Sequence, residues 1–143
     1  MRSKIKLFFI FQICIIFGDE INNQELALNH FMQGEFLMNQ GNYALAILEF
    51  QDAIELDPNA ATIHVSIADG YRRLGKLKRA ENHLEIALDL DPEEQEALEI
   101  QGQLFLAQKR YADAKFVYER LNEIDSNNID FIFTLADLAR MEK

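Results

Sequence analysis

The sequence predicts an all-α solenoid of stacked helix pairs, and three observations carry that prediction. Positions recur at an interval of 34 residues, most visibly in the two Leu-Asp-Pro triplets that end at Pro58 and Pro92. Small residues and large apolar residues fall into separate columns when the chain is written in that register. Leu, Ala, Ile, Glu and Gln dominate while proline occurs only twice, a composition that favours helix over strand. With 143 residues, 49% of them hydrophobic and 27% charged, the chain has the length of one domain and enough apolar surface to fold.

The first segment reads as an address. Arg2, Lys4 and Lys6 precede an apolar run from Leu7 to Phe17 broken only by Gln12, the charged-then-apolar order of a secretory signal peptide. The run is shorter than the roughly 17 to 25 residues that a spanning helix needs. Export with cleavage after Gly18 is therefore expected, giving a signal peptide over 1–18, a linker over 19–26 and an extracytoplasmic protein, periplasmic or secreted. Retention of the segment would leave a membrane anchor, the one way in which a membrane is expected as a partner. Cys14, the sole cysteine, lies in this run, so the remainder can form neither an internal disulfide nor a thiolate metal site.

Helices are expected in order over 27–40, 43–56, 60–74, 77–90, 94–108, 111–124 and 128–141. Gly41 and Gly75 fall between the helices of a pair, where a tight turn needs a permissive backbone, and Asp57-Pro58 and Asp91-Pro92 close the second helix. Gly34, Ala68, Gly102 and Ala136 form one small column and Ala46, Ala80 and Ala114 another; Ala53 and Ala87 start a third that Leu121 breaks. Small columns let neighbouring helices approach closely. Leu37, Tyr71 and Phe105, then Tyr43, Leu77 and Tyr111, then Phe50, Leu84 and Tyr118, then Leu56, Leu90 and Ile124 supply the filling volume.

This pattern resembles the tetratricopeptide repeat (TPR) family, and the resemblance covers about residues 27–141. Its strongest parts are the small columns and the stretch from Ala46 and Phe50 to Pro58. His30 and His64 stand where the family often has tryptophan or another large residue, Gln33 and Gln101 where leucine is common, and Ser126 in place of proline. The resemblance implies a right-handed α-α superhelix of about three and a half repeats, spanning about 27–60, 61–94 and 95–128 with a partial repeat over 129–143. Three repeats are about the minimum for a stable stack, so modest independent stability is expected.

The formal net charge is −10, and removing the signal peptide takes three of the 14 basic residues and none of the 24 acidic ones, moving it to −13. Such a chain is repelled by phosphate backbones, so nucleic acid is not an expected partner. No lysine or arginine occurs between Asp19 and Tyr71, which makes the first repeat a purely acidic surface suited to steering a basic partner. No phosphate-binding loop, nucleophile elbow, paired-histidine zinc motif or calcium loop is present, so neither catalytic nor cofactor residues are expected. His30 and His64, one repeat apart, are expected to fill a packing column rather than bind metal, and His83 is expected to be exposed.

What remains is the concave surface that the first helices of such repeats line. In the proteins that this chain resembles, ligands lie along it. Carried over by position, the groove is expected to use Leu28, Phe31, Met32, Glu35 and Met38, then Thr62, Val65, Asp69, Arg72 and Arg73, then Glu96, Glu99, Ile100 and Gln103. Some family members clamp a C-terminal carboxylate with basic side chains; Glu96 and Ile100 stand at such positions here, so that activity is not expected. The expected function is an exported scaffold or adaptor that holds a protein or peptide segment, basic or amphipathic, in the groove. The alternative is a structural envelope-assembly component acting through oligomerisation or membrane attachment, or the N-terminal fragment of a longer TPR protein. The last helix carries Ile129, Phe131, Ile132, Phe133, Leu135, Leu138 and Met141 around its whole circumference, which suits self-association.

Overall fold

The computed structural model describes residues 22–141; the expected signal peptide with Cys14 and the first residues of the expected linker lie outside them. Among the described residues there are seven helices and no strand. These are α1 over 22–39, α2 Tyr43–Leu56, α3 Ala61–Arg73, α4 Leu77–Leu90, α5 Gln95–Ala107, α6 Tyr111–Ile124 and α7 Ile129–Met141. Together they make an all-α solenoid of three and a half helix pairs. The ends agree with the expected ones to within one residue except at the start, where 22–26, expected as linker, continue α1. Nothing between Asn22 and Leu26 breaks a helix: the stretch has neither glycine nor proline.

The turn inside each pair is the same structure three times. Gly41 N–H donates to Met38 O and Asn42 N–H to Leu37 O, the two bonds that cap a helix through a left-handed residue. Gly75 and Lys76 repeat this on Arg72 and Tyr71, and Lys109 and Arg110 repeat it on Leu106 and Phe105. Gly41 and Gly75 have φ of 77° and 71°; Lys109 takes φ 59° without the freedom of a glycine. Between pairs, Asp57, Asp91 and Asp125 N–H groups donate to Ala53, Ala87 and Leu121 O, so the turn survives where Ser126 replaces proline. There Asn128 Oδ1 accepts from Asp130 N–H at 3.1 Å and caps α7.

Packing between the helices of a pair follows the columns. A Cβ on Gly34 would lie 2.4 Å from the Phe50 ring, and one on Gly102 would lie 2.9 Å from the Tyr118 ring. The second pair has Ala68 in the same column and Leu84, smaller than either aromatic, in the facing one. Gly with an aromatic and Ala with Leu are two ways of filling the same space. Two buried clusters result, one across α2 to α5 and one across α5 to α7, with Leu88 packed against both. Two expectations are corrected at the margins. Leu90 and Ile124, expected as filler, are exposed, and Ala136 is exposed because no later described helix covers it.

Candidate functional site: the concave groove

The first helix of each pair contributes to one concave surface. α1, α3 and α5, with the turn after α1, enclose a cavity of about 560 Å³ lined by Glu35, Met38, Asn39, Gln40, Gly41, Tyr43, Ser66, Asp69, Arg73 and Glu96. A smaller hollow of about 200 Å³ follows between α5, α6 and α7, lined by Glu99, Gln103, Tyr118, Asn128, Asp130, Phe131 and Thr134. Helix α5 serves both, with Glu96 in one and Glu99 in the other.

The charges in the large cavity are unequally paired. The Ser66 hydroxyl donates to Glu35 Oε1 at 2.9 Å and ties α3 to α1. Asp69 accepts from Arg72 Nε at 2.9 Å and from Arg73 Nε at 2.7 Å, so one carboxylate holds two guanidinium groups. The Arg73 guanidinium also lies 5.6 Å above the Tyr43 ring. Hydrogen bonds that it donates to Asp69 and then Tyr43 push its pKa further up, and it stays charged at any accessible pH. Glu96 has no hydrogen bond or ion pair among the described residues. It is exposed, yet partial desolvation, then the charges of Glu35, Glu94, Asp69 and Glu99, raise its pKa above the ordinary carboxylate value.

Of the expected groove residues, Glu35, Met38, Asp69, Arg73 and Glu96 share the large cavity, and Glu99 and Gln103 line the small one. Arg72 stands beside it through Asp69. Leu28, Met32 and Thr62 are exposed but line neither hollow, and Phe31 is half-buried with its ring 5.7 Å from that of Phe50. Val65 and Ile100 must be corrected: at 1% and 6% exposure they belong to the core and cannot touch a partner. The expectation missed Ser66 and, at and beside the first turn, Asn39, Gln40, Gly41 and Tyr43. Ser66 lies 34 residues from both Met32 and Ile100, which were proposed, so its column held the signal.

The histidines form cross-helix pairs. His64 is buried, and its Nδ1 lies 3.1 Å from Nδ1 of His83, so one ring must be a neutral acceptor. His83, expected to be exposed, is half-buried, with ring centroids 5.4 Å from His64 and 5.7 Å from Tyr71. Burial lowers the pKa of both, and for His83 the charge of His64 lowers it further. In the first pair the same positions hold His30 and Glu49, joined at 2.8 Å and half-exposed; with Asp52 their donor atoms lie within 4.8 Å of one another. These three could hold a metal ion only at an open, partly solvated position. Among the described residues no helix is long and apolar enough to cross a membrane.

Comparison with known proteins agrees with this geometry. Tetratricopeptide repeat family models match residues 27–60 and 65–128. The chain belongs to the tetratricopeptide repeat family. A TPR relative, the RNA polymerase II-associated protein 3 of Xenopus laevis, is 30% identical over 106 residues, which is 74% of this chain and 16% of that protein. An uncharacterized protein of Haemophilus influenzae is 25% identical over 112 residues, 78% of this chain and 63% of its own. This chain thus spans less than two thirds of the length of either relative. Among solved TPR structures, the first TPR of Spaghetti (RPAP3) bound to the HSP90 peptide SRMEEVD is 26% identical. It superposes with a TM-score of 0.76 over 82% of this chain and 96% of its own. The TPR fold is a known protein-interaction scaffold.

Proposed function

We propose that this chain is an exported scaffold that holds a segment of another protein in its concave groove. The observation that carries the reading is the cavity of about 560 Å³ on the first helices, in a fold whose solved relative holds a peptide. The peptide of that relative, SRMEEVD, is rich in acidic residues. Here Glu35, Glu96 and Glu99 repel such a tail, so the partner differs in kind from that one. Panning a random peptide library on the chain tests the reading, with Ser66→Trp as the control that fills the cavity wall. Peptides recovered by the unmodified chain and lost on the variant support it; peptides that bind both alike put the interface elsewhere. The support for export is the order of Arg2 to Phe17 in the sequence. N-terminal sequencing of the protein extracted from its own cells tests it, with Asp19 as the expected first residue.

A second reading, a structural assembly component, is favoured by α7. Phe131 and Leu138 point into the core, while Ile129 and Phe133 are 65% and 66% exposed, with Ile132 and Met141 also exposed. Self-association through this face predicts a concentration-dependent rise in mass by light scattering that Phe133→Ser removes. A clean monomer at every concentration ends this reading.

A further inference from the structure

We infer that the large cavity is a subsite for a lysine or arginine side chain of the bound segment, seated against the carboxylates of Glu35 and Glu96. The inference rests on the groove reading above and narrows its partner. Room comes first. The cavity is open to the groove and has Met38 and the Tyr43 ring in its wall, against which the methylene stem of a long basic side chain can lie. Charge comes second. The cations near the cavity, Arg72 and Arg73, are both committed to Asp69, so neither neutralises the carboxylates across from them. Glu35 has only the Ser66 hydroxyl, which orients its carboxylate without neutralising it. Glu96 is exposed and has no partner, and partial desolvation together with the charges of four neighbouring acids makes it hold its proton more tightly than an ordinary carboxylate.

An arriving ammonium or guanidinium group removes that repulsion and gains charge-assisted hydrogen bonds to the two carboxylates. An arriving carboxylate adds a further like charge. The same chemistry continues along the groove, where Glu99 and Asp130 line the next hollow. Selectivity for basic over acidic segments therefore comes from these particular side chains, in addition to any long-range pull of an acidic chain.

The test is fluorescence anisotropy on the full chain with two end-blocked helical peptides that share their apolar positions, one with lysine and one with glutamate at the polar positions. The lysine peptide is expected to bind at least about tenfold more tightly, the effect of one hydrogen-bonded charge contact. The preference is expected to collapse in Glu35→Gln/Glu96→Gln and to persist in Glu55→Gln/Glu85→Gln, which removes the same charge at exposed positions outside the groove. Circular dichroism confirms that the variants are folded. Equal binding of both peptides, with competition for the cavity, leaves the groove reading standing and overturns the subsite. A preference that survives Glu35→Gln/Glu96→Gln, or falls equally in both double variants, also overturns it. Binding of neither peptide overturns both.

Discussion

The buried faces between helices and the concave face share one period and differ in what that period carries. Between helices, Ala46, Ala80 and Ala114 are all fully buried, and Phe50, Leu84 and Tyr118 face a Gly, Ala, Gly column in matched sizes. On the concave side the equivalent triplets are Leu28, Thr62 and Glu96, or Asn39, Arg73 and Ala107, which share neither charge nor polarity. A position that must fill a fixed gap has few solutions, so it repeats. A position that meets a partner is set by that partner and has no reason to repeat. The fold is thus written in columns, and the interaction in the departures from them.

Four changes probe this contrast, beginning with the largest. Gly34→Ala drives a methyl group into the Phe50 ring and is expected to cost about 1–3 kcal/mol in urea denaturation. Phe50→Leu added to it recovers much of that loss, because the pair then matches Ala68 and Leu84. Failure of the rescue would mean that each pair is packed by rules of its own. Next, Asn122 stands in the column of Ile54 and Leu88, and its Oδ1 is buried without a hydrogen-bond partner. Restoring the column with Asn122→Leu is expected to stabilise the domain by about 1–2 kcal/mol by the same measurement. Lys109→Gly relieves the one left-handed non-glycine residue among those described and is expected to gain about 0.5 kcal/mol.

The smallest change at neutral pH concerns the histidine pair. The folded-state pKa values of His64 and His83 are lowered, so the unfolded chain takes up protons first as pH falls. The stability they permit is complete above the ordinary histidine value and is lost as pH drops through the folded-state values. His64→Leu/His83→Val copies the buried Leu98 and Val117 of the third pair and is expected to flatten this acid loss between about pH 7 and pH 5. An unchanged pH profile would assign the loss to carboxylates instead.

Most of the fold was legible because it depends on those columns. Glycines at the turns, Asp-Pro at the pair boundaries and alternating small and large positions place every later helix end to within one residue. The third turn kept its shape with Lys109, where sequence offers no glycine to mark it. The groove was legible only in part. Register puts Val65 and Ile100 on the concave side, but whether a side chain at that register is covered depends on the size of its neighbours on adjacent helices. Beta-branched apolar residues there were drawn into the core, and Ser66 in the same column was left facing the cavity. His83 was read from its charged neighbours in sequence, whereas the helical face it shares with Ala80, Leu84 and Ala87 decides its burial.

The central claim, that the groove is shaped for a partner rather than for stability, meets its most direct test at Glu96. Its raised pKa means that the ionised form costs the folded state at neutral pH, so Glu96→Gln is expected to melt no lower than the unmodified chain while losing preference for a lysine-bearing peptide. A lower melting temperature with the preference intact would show that Glu96 serves the fold, and would contradict the account.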